Sequence, residues 1–139
     1  MYLLDTNVIS EARKGAKADP GVRRFFARAK IESARLYLSA ITIGELRRGL
    51  ELIRHRGDTV QAGLLERWLE EVIRDYQAQI LAFDDAAAQV WGRLRVPHPE
   101  NALDKQIAAT ALLYDLTLVT RNTSDFIATG ARLINPFAV

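Results

Sequence analysis

The sequence predicts an α/β sandwich built on a mainly parallel sheet of about five strands. Three observations predict it. Short apolar runs at residues 1–4, 36–39, 80–83, 117–120 and 132–134 have strand length. Longer segments with apolar residues at helical spacing stand between them, and strands alternating with helices favour parallel pairing. Cap and turn residues punctuate the joins.

The first run, Met1-Tyr2-Leu3-Leu4, stops at Asp5-Thr6-Asn7, residues suited to strand ends and helix caps. Val8 to Arg13 continue as a helical turn or two, and 14–18 reads as an exposed loop. Asp19-Pro20 forms an N-cap followed by proline at the first helical position, opening a helix with Val22, Phe25, Phe26 and Ala29 inward. After the second strand comes a helix over 41–56 with Ile43, Leu46, Leu50 and Ile53 in a stripe. Gly57-Asp58 breaks it and starts another helix, with Leu65, Trp68, Leu69, Val72, Ile73 and Tyr76 on one face, so the two form a helical hairpin. Asp84-Asp85 begin a helix holding Val90, Trp91 and Leu94; the proline-rich loop 96–101 follows, then a very apolar helix over 102–114. A short helix over 124–127 precedes the fifth strand.

At 139 residues and 49% hydrophobic, the chain has material for one core, so a single domain over 1–139 is expected. No apolar run approaches the ~20 residues that span a bilayer. No basic segment leads into an apolar one as in a secretory signal, and cysteine is absent, so disulfide and thiolate chemistry are excluded. A cytoplasmic protein without membrane contact is the expectation. The net charge of +2 permits a nucleic-acid partner without demanding one.

Four carboxylates carry the chemistry: Asp5, Glu45, Asp104 and Asp125. In a parallel sheet, strand ends and the helix starts that follow share one edge. Asp5, Glu45 and Asp125 therefore belong to one rim, and Asp104 joins them if its helix enters from that side. Each has a plainer reading. Asp5 can cap its helix, and Thr42 to Glu45, Asn101 to Asp104 and Asn122 to Asp125 have capping-box spacing. Taken singly, capping is the better account. Taken jointly, converging acids repel unless a cation lies among them, and all-oxygen ligands suit Mg2+ or Mn2+. His55 and His98 lack zinc-ligand spacing, no serine has a nearby histidine base, and no phosphate-binding glycine loop is present. Gly49 reads as room for helix packing.

The order and spacing of these motifs resemble the PIN-domain ribonucleases of the VapC toxin type, the FitB-like branch especially. The resemblance rests on Leu3-Leu4-Asp5-Thr6-Asn7-Val8-Ile9-Ser10, Ser39-Ala40-Ile41-Thr42-Ile43-Gly44-Glu45-Leu46 with Gly49, Asp104 with Ile107-Ala108-Ala109-Thr110-Ala111, and Leu118-Val119-Thr120-Arg121-Asn122 with Asp125-Phe126. The closing Ile134-Asn135-Pro136-Phe137 also matches.

It implies a metal-dependent endoribonuclease and toxin, with Asp5, Glu45, Asp104 and Asp125 catalytic and Asp5 and Asp104 as first metal ligands. Thr6 and Thr120 would flank the cluster, and Asn122 takes a place where some relatives carry an acid. Lys105-Gln106 departs from the pattern; the lysine either lies outward or contacts substrate phosphate. The resemblance further implies RNA as substrate, a homodimer, a VapB- or FitA-like antitoxin, and a larger complex with that antitoxin on operator DNA. The antitoxin tail is expected in an apolar groove around Phe25, Phe26, Leu46, Leu50 and Trp68. Arg47, Arg48, Arg54, Arg93 and Arg95 are candidates for steering the phosphate backbone. Two other classes stay open: a PIN-like RNA-binding or interaction module, and an α/β phosphatase with Asp5 as nucleophile, against which Asn7 stands where a paired acid is needed.

Overall fold

Side chains on successive strand residues point to opposite faces, and this alternation divides the core in two. Tyr2 and Leu4, Leu36 and Leu38, and Val119 face one cluster; Leu3, Tyr37 and Leu118 face the other. The computed structural model describes residues 1–138; Val139, the last residue of the expected domain, lies outside the described residues.

Five parallel strands form the sheet: β1 (Tyr2–Leu4), β2 (Leu36–Ser39), β3 (Ile80–Leu81), β4 (Thr117–Val119) and β5 (Leu133–Ile134), in the order β3-β2-β1-β4-β5. Tyr2 stands beside Leu36 on one side and Thr117 on the other. Four helices supply the first cluster: α1 (Thr6–Ala12), α2 (Pro20–Ile31), α3 (Ala40–His55) and α4 (Thr59–Asp75). Three supply the second: α5 (Asp85–Leu94), α6 (Ala102–Leu113) and α7 (Thr123–Phe126). This is the expected sandwich. Among the described residues no helix is long and apolar enough to cross a membrane.

Local causes are visible in the sequence. Asp19 Oδ1 accepts from the Gly21 and Val22 amides at 2.8 and 3.2 Å, a full N-cap with Pro20 behind it. Gly21 is required there for another reason: a Cβ would meet the Pro136 carbonyl oxygen at 2.1 Å. Gly57, at φ +97°, turns α3 into α4, and Asp58 caps α4 through the Gln61 amide at 3.0 Å.

The helical hairpin forms as expected, with one correction on its face. Ile73 is 38% exposed, because the buried row runs through Ala62, Leu69 and Val72, and Ile73 sits a further 100° around the helix. The third strand is also shorter than expected. Its partner β2 ends at Ser39, the N-cap of α3, so residues 82 and 83 find no ladder. Phe83 instead meets Trp91 edge-on, ring centroids 6.0 Å apart. The loop expected over 14–18 contains a 3-10 turn at Gly15–Lys17.

Candidate functional site

The strand order reverses between β1 and β4: later strands are added outward from β1 on one side, through β2 and β3, and on the other through β4 and β5. Open α/β sheets form a ligand crevice at such a point, beyond the carboxyl ends of the strands. Asp5 follows β1 there and Thr120 follows β4. The Asp5 amide donates to the Val119 carbonyl at 2.9 Å, so the ladder itself fixes the acid's place.

Asp5 is only 5% exposed. Its Oδ1 accepts from the Thr6 amide at 2.8 Å, and its Oδ2 from the Thr120 hydroxyl at 2.8 Å and the Asn7 amide nitrogen at 3.3 Å. Asp5 thus does cap α1, as the plainer reading had it, while holding a second set of partners. Burial pushes its carboxyl above the usual range; the three hydrogen bonds pull it back, and the charge of Asp125 pushes the same way as burial.

The capping boxes expected at the other three acids do not form. Helix α3 starts earlier than Thr42, because β2 runs straight into Ser39, whose hydroxyl accepts from the Ile41 amide at 3.0 Å. Thr42 is buried within the helix and Glu45 is past its first turn. Asn101 has a left-handed backbone, φ 58°, and no side-chain cap bond; Asn122 makes none either. Asp104 and Asp125 keep only the macrodipole benefit of a first-turn acid.

Freed of capping, these acids turn on one another. Glu45 Oε1 accepts from the Thr6 hydroxyl at 2.8 Å, and that hydroxyl lies 3.3 Å from the one on Thr42. Asp104 is half-buried, and its carboxyl is pushed up to about 6, first by burial and then by the charges of Asp5, Asp125 and Glu45. All four acids therefore share one electrostatic neighbourhood, and none forms an ion pair among the described residues. Also among the described residues, no three His, Asp or Glu side chains close into a cage for a metal ion.

Sequence reasoning placed Thr6 and Thr120 beside the cluster but missed how far Asn7 reaches. Its amide nitrogen approaches both Asp5 and Thr120, and its Oδ1 accepts from the Arg121 amide at 3.1 Å. The signal was its place on the first turn of α1, two residues past Asp5. The Asn122 amide donates to the Thr120 hydroxyl at 3.0 Å. Lys105 does not simply lie outward: its ammonium donates to the His98 carbonyl. Three of the five candidate arginines are engaged elsewhere. Arg47 and Arg54 pair with Glu51 and Glu66, and Arg95 lies over the Trp91 ring, 4.6 Å from its centroid.

A groove of about 340 Å³ leaves the acids along the hairpin, from Thr6 and Glu45 past Leu46, Leu50, Ile53 and Leu65 to Trp68. Phe25 and Phe26 do not line it; Phe25 packs edge-on against Tyr2, and Phe26 against Phe25. Gly49 does line it, and a Cβ there would meet nothing within 4 Å. The glycine opens the groove rather than admitting a neighbouring helix.

The comparisons with known proteins converge. The family model described as PIN domain matches residues 2–131. Toxin FitB of Neisseria gonorrhoeae is 34% identical, over 99% of each chain. VapC ribonuclease Y4jK of Sinorhizobium fredii is 37% identical, over 99% of this chain and 98% of that one. Among solved structures, the crystal structure of FitAcB from Neisseria gonorrhoeae superposes with a TM-score of 0.81 at 34% identity, covering both chains fully. FitAB bound to an IR36 DNA fragment matches with a TM-score of 0.80 at 32% identity, over 100% of this chain and 97% of that one.

Proposed function

Since this chain belongs to the PIN domain family, we propose that it is a divalent-metal-dependent endoribonuclease and the toxin of a toxin–antitoxin pair. One observation carries the reading most directly. Four carboxylates meet at the carboxyl edge of the sheet with no basic partner among the described residues, and Asp104 is raised to about 6 by burial first and then by the charges of the other three.

The donor set fits a hard cation. It is all oxygen, and Mg2+ keeps several waters while taking one or two carboxylates, so a closed protein cage is not needed. Asp5 and Asp104 are assigned as ligands of Mg2+ or Mn2+; Glu45 and Asp125 ligate, act through water or orient the nucleophile. When bound, such an ion supplies charge to steady the scissile phosphate and acidifies the attacking water. The chain's own residues prepare for that. Thr120, Asn7 and the Thr6 amide fix both oxygens of Asp5 before anything binds, and the Thr6 hydroxyl fixes Glu45. Preorganised ligands lose little freedom on binding, and outer partners of this kind tune affinity. Because water attacks, the RNA 2′-hydroxyl is not consumed and 5′-phosphate ends are expected.

Two relatives bear the names toxin and VapC ribonuclease, and solved neighbours are FitA–FitB complexes, one on DNA. On that basis a FitA- or VapB-like antitoxin belongs in the groove from Glu45 to Trp68, with a larger complex on operator DNA. The hairpin exposes Val60 and Leu64, which suits a homodimer. The fold is read as a single PIN domain acting in the cytoplasm.

The test is incubation of purified protein with unstructured RNA, with and without Mn2+. Cleavage in Mn2+ that stops in EDTA supports the reading; RNA binding with no cleavage under any divalent ion points to an interaction module instead.

A further inference from the structure

A second cleft, also about 340 Å³, lies beyond the acids on the opposite side from the hairpin groove, between the loop 96–101, the start of α6 and α7. Asp125 lines it, so the cleft and the acid cluster share a wall. We propose that this cleft receives one unpaired base of the RNA substrate, next to the scissile phosphate, and sets the nucleotide preference of cleavage. The proposal rests on the ribonuclease reading above.

The cleft has the makings of a base pocket. Its volume falls in the range of small-ligand sites, ~300–1,000 Å³. Val96 and Pro97 offer an apolar wall, and Val96 is 77% exposed. A base gives such a wall a flat apolar partner, and single-stranded RNA can splay a base out to meet it. Along the edges stand Asn101 and Ser124, an amide and a hydroxyl able to donate and accept. Asn101 occupies the N-cap position of α6 in a left-handed conformation, yet its side chain makes no cap bond. Lys105 ties its ammonium to the His98 carbonyl and so fixes the loop as a wall. That gives a role to the lysine that departs from the family pattern.

Asn101→Gly is a clean probe, because glycine adopts the left-handed backbone freely and only the amide is lost. Combined with Ser124→Ala, it removes both edge contacts. Ala128→Leu does the reverse, filling the cleft from an exposed position on its rim. Cut ends are mapped on a pool of unstructured RNAs in Mn2+, reading the ratio of cuts by nucleotide identity beside the scissile bond. The wild type should show a preference at one flanking position. The double variant should flatten it roughly tenfold, the worth of one or two lost hydrogen bonds, and Ala128→Leu should shift it toward smaller bases. A variant that folds less well lowers all cuts together and keeps their ratios. Unchanged ratios in both variants, or a wild type with no preference, overturn the proposal. If the wild type cuts nothing, the ribonuclease reading fails on its own. Binding of four homopolymer tetranucleotides then decides: discrimination that Asn101→Gly abolishes upholds the cleft, and equal affinities overturn it.

Discussion

Helix α3 contributes to two charge clusters that behave in opposite ways. On its outer face, Glu51 joins Arg47, Arg54 and Glu66 of α4 in four contacts of 2.6 to 3.2 Å. Side-chain hydrogen bonds from the two arginines hold Glu51 and Glu66 below the usual carboxylate range. One and a half turns earlier, Glu45 joins Asp5, Asp104 and Asp125, where no arginine or lysine pairs among the described residues and two of the acids are pushed up. The first cluster is complete in itself and stitches the hairpin; exposed, it contributes little to stability. The second is incomplete. On the proposed reading its missing partner is a cation from outside, and the contrast between the clusters supports that reading more sharply than the number of acids does.

The strongest way to break this comparison is to remove a charge from each cluster. Asp5→Asn or Asp104→Asn should lower cleavage by roughly a thousandfold or more, since a bound ion is worth several kcal/mol to the reaction. Glu51→Gln should leave cleavage within about twofold, surface substitutions away from a site having small effects. Full activity of either Asn variant in EDTA would sink the metal reading. A smaller effect is expected from Thr120→Val, which keeps the shape but removes a donor to Asp5. Supporting partners of this kind are worth roughly 10- to 100-fold in activity or metal affinity, so a Mn2+ titration of cleavage should shift accordingly.

Next comes pH, where the two clusters should have opposite signs. Asp104 rises from 3.8 unfolded to about 6 folded, so the native state binds the extra proton in that window. Metal-free stability attributable to Asp104 should therefore fall as pH rises from 4 through about 6 and stay lost above it. Asp104→Asn should melt higher than wild type at pH 8, with the gap closing toward pH 4. Cation-dependent cleavage should in turn weaken as pH drops through about 6 and Asp104 takes up its proton. The smallest effect belongs to Glu66, whose carboxyl is lowered by Arg47 and Arg54. Its contribution should be present near neutral pH and fade on acidification. Glu66→Gln should lose a little thermal stability at pH 7 and less in high salt. Melting curves across pH for both variants decide whether the signs differ.

Much of this was legible before any coordinates. Apolar runs of strand length and helical stripes marked the strands and the longer helices but not the 3-10 turns. The logic of a parallel sheet put Asp5, Glu45 and Asp125 on one rim, with Asp104 conditional on where its helix enters. The places that failed are ones where a local spacing was overridden. Thr42 has capping-box spacing, but β2 runs straight into Ser39, which caps α3 instead. Asn101 follows a loop rather than a strand and Asn122 follows β4, and neither side chain makes a cap bond. The third strand stopped early because its neighbour did. Phe25 and Phe26 were read as groove residues of the early helices; the ring of Tyr2, distant in sequence, took up Phe25, and Phe25 took up Phe26. Asn7 looked like a mere absence of an acid until Thr120 arrived beside it, 113 residues later.

The hydrogen bond from Thr120 to Asp5 spans 115 residues, and it joins the central strand to its neighbour. Contacts so distant along the chain are slow to form and come late. On the ribosome, β1 and β2 emerge first, while the β4 side of the crevice waits on sequence not yet translated. A nascent chain therefore carries Asp5 without Thr120 and Glu45 without Asp104 or Asp125. On the ribonuclease reading proposed above, the acid cluster is in this way left unassembled for most of the chain's own synthesis, a delay written into contact order rather than into any inhibitor.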